Sequence, residues 1–224
     1  MSSPDVVVVG GGIVGIAVAA SCARRGLAVT LCEAGGLAQA ASGRNQGLVI
    51  GPNPPEMEAI GRLTLELLLD LHERSGRAFA FDRDPYGCLM LGDEDGELLD
   101  GAALREAEPL LSEVTESGWL NLNARRIDPG AAAAALAEDA RASGAEIRTG
   151  CAVRELLRRG DDVTGVLTDD GRIEAACVVV AAGPWSWRVC RSLPRDVPVR
   201  GVRGWIIVTR PAPFRLRYAI EEWT

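Results

Sequence analysis

The chain has no lysine and a single histidine, His72. All 24 basic residues are arginine, so a lysine Schiff base and a phosphate-cradling P-loop lysine are both excluded. With one imidazole a His-rich zinc site cannot be assembled, and a Ser-His-Asp triad would have to run through His72. Metal-assisted hydrolysis is therefore not expected, and no metal ligands are assigned. The six cysteines, Cys22, Cys32, Cys88, Cys151, Cys177 and Cys190, include no C-x-x-C pair and are mostly flanked by apolar residues. That usage reads as buried free thiols of a reducing, cytoplasmic compartment rather than as a disulfide framework. Positive charge is in deficit as well. Against 31 acidic groups the arginines leave a formal net charge of −7, which argues against nucleic acid or an anionic membrane surface as the main partner.

A targeting or membrane-spanning segment is also not expected. Residues 6–23 carry no charge, but the preceding Ser-Ser-Pro-Asp supplies no positive n-region, and Gly10, Gly11 and Gly12 interrupt the apolar run. What is present is an ordinary globular composition. In 224 residues, 47% are hydrophobic and 25% charged, enough for one large domain or two small ones and a substantial core.

The first unit of the chain reads strand, tight turn, helix, strand: Asp5 to Val9, Gly10 to Gly12, Ile13 to Arg25, Leu27 to Cys32. A continuous valine run is what a parallel strand covered on both faces requires, and Gly26 stands where a helix C-cap belongs. Residues 34–54, rich in Gly, Ala, Ser, Asn and Pro, form a long loop. Apolar spacing of Met57, Ile60, Leu63, Leu67, Leu68 and Leu71 predicts an amphipathic helix up to about Gly76, with His72 as a surface or capping residue near its end. A strand at Gly87 to Leu91, a turn at Gly92 to Gly96, a short helix from Ala102 to Glu108 and a strand at Trp119 to Asn123 follow. Asp128-Pro129 starts a helix that Gly144 ends. Beyond it lie a strand at Ala145 to Arg148, a meander over Val153 to Leu157, Val163 to Thr168 and Arg172 to Glu174, and a buried strand at Ala176 to Ala181.

Chemistry concentrates at the N-terminus. Gly10-x-Gly12-x-x-Gly15 follows the first strand and opens the first helix, with Ala19 one turn further on. One glycine makes the turn, one lets backbone approach a pyrophosphate, and one removes bulk where helix meets strand, while the helix N-terminus offers NH groups to phosphate. Glu33 ends the second strand, where an acid accepts hydrogen bonds from both ribose hydroxyls and repels a 2′-phosphate. This pattern specifies a dinucleotide without deciding between FAD and NAD. Trp185 and Trp187 suggest an aromatic cage for a cationic amine, but packing beside the Ala182-Gly183 turn and at a domain seam is the stronger expectation.

Taken together, VVVVGGGIVG, the loop ASGRNQGLVI, the segment RRIDPGAAAAALAEDARASGAEIRTGCAV and the segment GVLTDDGRIEAACVVVAAGPWS resemble the FAD-dependent oxidoreductases of the D-amino-acid oxidase superfamily, which includes glycine and sarcosine oxidases. The resemblance implies FAD as cofactor, with Gly10, Gly12 and Gly15 at the pyrophosphate and Glu33 at the adenosine ribose. It implies that Ser42, Gly43, Arg44, Asn45, Gln46 and Gly47 pass beside the pyrophosphate and the isoalloxazine ring, that the Val153 backbone meets adenine, and that Ala182 and Gly183 leave room for the cofactor. Arg44 is the only charge between Glu33 and Glu56. The implied activity is oxidation of a small amine or amino acid by hydride transfer to flavin, with a 2-hydroxy acid or polyol as the alternative substrate class. No catalytic side chain is assigned.

Two departures accompany the resemblance. Only GDEDGELLDG separates the Leu91 strand from the Ala102 helix, where relatives carry a longer helical stretch. PVRGVRGWIIVT resembles the strand re-entering the substrate domain, and the sequence then ends at Thr224, before the part that supplies the substrate-gripping residues of relatives. A truncated product, one subunit whose partner supplies the missing C-terminal elements, and an FAD-binding protein without turnover all remain open. The expected fold is α/β, a Rossmann-like FAD-binding domain of the glutathione-reductase-like kind over 1–77 and 127–190, interleaved with an incomplete α+β substrate domain over 78–126 and 191–224.

Overall fold

The computed structural model describes residues 3–50, 55–92, 98–194 and 196–222. In chain order the elements are β1 (Val6–Val9), α1 (Ile13–Arg24), β2 (Val29–Glu33), β3 (Leu48–Val49), α2 (Glu58–Arg74), β4 (Cys88–Leu91), β5 (Leu99–Asp100), α3 (Gly101–Ala107), β6 (Ser117–Asn121), β7 (Arg125–Arg126), α4 (Pro129–Ala142), β8 (Glu146–Thr149), β9 (Val153–Arg159), β10 (Asp162–Thr168), β11 (Gly171–Glu174), β12 (Cys177–Val180), α5 (Ser186–Val189) and β13 (Ala219–Glu222). They divide into two compact units, residues 1–46 with 129–206 and residues 47–128 with 207–224.

The first unit is built on a parallel sheet of order β12-β1-β2-β8, with Val6 opposite Cys177 and Val29. All four β1 valines are buried because the sheet is covered twice. Val6 and Val8 face α1 and α4, where Ile16, Ala19, Ala20, Ala133, Ala137 and Ala140 pack. Val7 and Val9 face Leu156, Val166 and Ile173 of an antiparallel β11-β10-β9 sheet. Small alanines on both helices let them approach closely, and Arg24 pairs with Asp139 across them. Gly26 and Gly144, at φ +83° and +97°, close the two helices in the left-handed region that favours glycine.

In the second unit a four-stranded sheet of order β13-β4-β6-β5 pairs β13 parallel and the others antiparallel. The Asp100 carboxylate caps α3 by accepting from the Ala102 and Ala103 amides. Glu108, 1% exposed, accepts from the Leu110 and Arg217 amides. A small β3-β7 ladder pairs Leu48 with Arg126.

Several expectations change. Helix α2 belongs to the second unit rather than to the first, because its buried end, Leu71 and His72, packs there. His72 is neither a surface nor a capping residue. It is 5% exposed and packs edge-on against Phe79 and Phe81, with ring centroids 5.0 and 5.7 Å away. The helix forms as its periodicity requires, yet Met57, Ile60, Leu63 and Leu67 are exposed: an apolar stripe specifies a face and not the surface that covers it. Residues 191–206 group with the first unit. No strand forms over 198–209, where Val202, Trp205, Ile207 and Val208 are exposed. Of the six free cysteines, four are buried, whereas Cys177 is exposed and Cys22 half-buried. The turn expected at Gly92 to Gly96 lies, beyond Gly92, outside the described residues.

Candidate functional site

Crowding accounts for each glycine of the turn between β1 and α1, by backbone at Gly10 and Gly15 and by side chains at Gly11 and Gly12. Gly10 has φ +110°, and a Cβ there would come 2.5 Å from the Ala181 carbonyl oxygen and 3.0 Å from Ala182 Cα. A Cβ on Gly15 would overlap the Gly10 carbonyl oxygen. At Gly12, the N-cap of α1, it would lie 3.1 Å from Ser42 Oγ. Gly11 is equally constrained, since a Cβ would stand 2.7 Å from Leu37 Cδ2 and 2.9 Å from the Glu33 side chain. Sequence reasoning left Gly11 as a variable position; the run of three glycines was the only signal for it.

The Glu33 carboxylate ties the turn to the end of β2. Its Oε2 accepts from the Gly11 amide at 2.6 Å and its Oε1 from the Gly35 amide at 2.7 Å. The Glu33 carbonyl accepts from the Cys151 amide, and the Gly35 carbonyl from the Gly150 amide, which brings the end of β8 alongside. Ala38, at φ +55°, donates its amide to the Gly11 carbonyl, and Gly43 lies so close to the Ala38 carbonyl that a side chain there would overlap it. Ser42 Oγ accepts from the Ile13 amide at 2.9 Å, serving one of the NH groups that the start of α1 leaves without an internal partner. This cap from 29 residues away was not foreseen.

Gly10, Gly12, Gly15, Glu33, Ser42, Gly43 and Ala182 therefore converge. Arg44 closes the 3-10 turn Ala41–Gly43, is exposed, and has no ion-pair partner among the described residues. Asn45 Nδ2 donates to the Ala41 and Ser42 carbonyls, and Gln46 is exposed. Gly47, at φ +72°, falls in the second unit, where its carbonyl accepts from the Ile127 amide. Val153 begins β9 opposite Thr168. Gly183, at φ +52°, has open space where a Cβ would stand. Trp185 and Trp187, expected to be packed, are 49% and 48% exposed.

The electrostatics suit an anion. Helix α1 has no acidic residue in its first turn, so only Glu33, through the Gly11 amide, offsets the positive end of the helix. Beside Glu33, burial reinforced by the neighbouring Cys151 thiol pushes Cys32 up to about 12, so no thiolate opposes an anion there at neutral pH. A glycine-walled backbone cradle at a helix N-terminus without acidic residues in its first turn, with a carboxylate at the end of the next strand, fits a dinucleotide. Among the described residues no helix is long and apolar enough to cross a membrane.

Comparison with known proteins agrees with this geometry. Residues 5–223 match the family model described as FAD dependent oxidoreductase. The chain is 28% identical to hydrogen cyanide synthase subunit HcnC of Pseudomonas aeruginosa over 93% of its own length and 65% of that protein. It is likewise 28% identical to glycine oxidase of Pseudomonas putida, over 94% and 63%. Among solved structures, L-amino acid deaminase from Proteus myxofaciens superposes with a TM-score of 0.75 at 27% identity, over 88% of this chain and 49% of that one. The chain thus spans less than two thirds of the length of these relatives. With its parallel sheet, its glycine turn and the match over residues 5–223, this chain belongs to the FAD dependent oxidoreductase family.

Proposed function

We propose that the chain forms the FAD-binding part of an oxidoreductase that oxidises a small amine or amino acid at its C–N bond. The observation that carries the reading is the closure of the Gly10–Gly15 turn on Ala181 and Glu33. The names of glycine oxidase and L-amino acid deaminase support the substrate class. The first unit is then the FAD-binding domain and the second the substrate domain.

In this reading Gly10, Gly12 and Gly15 hold the pyrophosphate against the N-terminus of α1, where backbone NH groups and the helix dipole meet its charge. A carboxylate has about four acceptor sites. With two of them taken by the Gly11 and Gly35 amides, Glu33 keeps enough to accept from the ribose hydroxyls. Ser42 fixes the turn over α1, and Gly43, Arg44, Asn45, Gln46 and Gly47 carry the loop past the pyrophosphate toward the isoalloxazine ring. The Val153 backbone meets adenine. Ala182 and Gly183 keep side-chain bulk away from the cofactor. Bound FAD supplies a two-electron acceptor for hydride from the substrate carbon. The chain's own task is orientation and exclusion of water, which needs no side-chain base if the amine arrives neutral. Six free cysteines suit a cytoplasmic protein. A second polypeptide that supplies the remaining length of the fold accords with coverage of 65% and 63% of two relatives, one of them by name a subunit.

The test pairs binding with turnover. Titration should give saturable FAD uptake and none of NAD. Oxygen uptake and dye reduction are then followed over glycine, sarcosine, D- and L-amino acids, proline and 2-hydroxy acids. Turnover confined to amines or amino acids is the expected result. Turnover of 2-hydroxy acids alone would reverse the substrate class, and FAD uptake with silence across the panel would leave a binding subunit.

A further inference from the structure

The exposed apolar residues of α2 fall in the order of a coiled-coil seam. Glu56 lies in the 3-10 turn Pro55–Met57 that leads into the helix. From it, Ile60, Leu63, Leu67, Asp70 and Arg74 follow at intervals of four, three, four, three and four residues. This is the heptad spacing that keeps one line of side chains on a single face. All six residues are exposed, and Ile60, Leu63 and Leu67 are 57%, 54% and 51% accessible to water. The charges differ between the two ends of the line. An acid opens it, apolar side chains hold its middle, and Arg74 closes it. Arg74 pairs with Asp70 one turn earlier at 2.8 Å. A surface pair of this i,i+4 kind is worth little, so a second carboxylate can share the guanidinium or replace its partner.

We propose that two copies of the chain associate along this line, with their α2 helices antiparallel about a two-fold axis level with Leu65. Leu63 then packs on the partner's Leu67, and Glu56 reaches the partner's Arg74. Ile60 lies beside the partner's Asp70, whose carboxylate turns to water at the rim. Symmetry makes each of these contacts twice. Other arrangements fit less well. A parallel pair would set Glu56 against Glu56 and Arg74 against Arg74. A slide of one heptad would put Glu56 on the partner's Leu67 in one direction, or Arg74 on the partner's Leu63 in the other. The antiparallel pair also brings the N-terminus of each helix beside the C-terminus of the other, where their dipoles attract. A contact between identical surfaces requires a patch complementary to itself. A line with an acid at one end, a base at the other and apolar side chains between them meets that requirement. Its centre leaves water, and its charges stay at the rim. The inference needs neither the cofactor reading nor the substrate reading.

Sedimentation velocity of the full chain over roughly a hundredfold range of concentration tests it, with a reductant present so that the exposed Cys177 forms no cross-link. The sedimentation coefficient should rise with concentration from the monomer value toward that of a dimer. Leu63→Glu should hold the chain monomeric, whereas Leu110→Glu, at an equally exposed leucine off the line, should leave association unchanged. Glu56→Arg and Arg74→Glu should each weaken self-association about tenfold, since two-fold symmetry makes each exposed pair count twice. Mixed in equal amounts, these two variants should associate as the parent does, because each then meets the opposite charge at both ends. A parent that stays monomeric throughout would overturn the proposal and leave the stripe to an unlike polypeptide. Association that survives Leu63→Glu, equal loss in Leu110→Glu, or a mixture no tighter than its separate variants would overturn it as well.

Discussion

Glu33 serves two backbone amides with one carboxylate, so its removal is a structural event before it is a cofactor event. In Glu33→Ala the amide of the buried Gly11 loses its acceptor, at a cost of about 1–3 kcal/mol, while the exposed Gly35 amide can turn to water. Urea denaturation of the cofactor-free protein should register that loss, and FAD titration should show weaker binding as well. Arg44 contrasts with it. Exposed and without an ion-pair partner among the described residues, it contributes little to folding, so Arg44→Ala should leave the urea midpoint unchanged while lowering FAD affinity roughly ten- to a hundredfold. Equal affinity in Arg44→Ala would remove the Ser42–Gly47 loop from the cofactor. At this scale the sequence displays what is local. The glycine spacing and the acid closing β2 are visible because turn chemistry acts over a few residues. The Ser42 cap on Ile13 and the crowding of Gly11 by Leu37 are contacts between segments, and no spacing rule announces them.

Helix α2 separates what periodicity can specify from what it cannot. Its length follows from the repeat of apolar residues, but the stripe of Met57, Ile60, Leu63 and Leu67 is exposed, while the residue read as superficial, His72, is buried with its Nδ1 lacking a hydrogen-bond partner. An unserved polar atom in an aromatic nest is unfavourable, so His72→Leu should stabilise the protein by about 1 kcal/mol; destabilisation on urea denaturation would mean that the ring packing outweighs the orphaned nitrogen. Nearby, Asp82 accepts from the Arg126 amide and guanidinium. Hydrogen bonding by Arg126 holds its carboxyl below the usual carboxylate range. A depressed folded-state value contributes stability that is present above the unfolded value of about 3.9 and lost as pH falls through the folded one. Asp82→Asn should therefore lower the thermal midpoint at pH 7, and its deficit should shrink when both proteins are melted progressively below pH 4.

For the whole chain, the two-layered covering of the parallel sheet was legible from the valine run, but the order β12-β1-β2-β8 was not, because buried strands of similar composition carry no label for their neighbours. The expected strand over 198–209 failed for the opposite reason: a sequence suited to a strand forms one only where another strand accepts it. Val202 at 95% and Trp205 at 83% exposure make this stretch open to protease. Brief trypsin digestion of the native protein should cut first after Arg200 or Arg203, as read by intact-mass analysis; first cuts within α4 would contradict the assignment. The sheet order also bears on synthesis. Val6 lies beside Cys177, so a ribosome making about 5–20 residues per second emits the first strand on the order of 10–30 s before its neighbour exists. During that delay the uncharged run 6–23 hangs from the exit tunnel with one edge open, a state in which a chaperone that recognises nascent apolar segments would find its substrate.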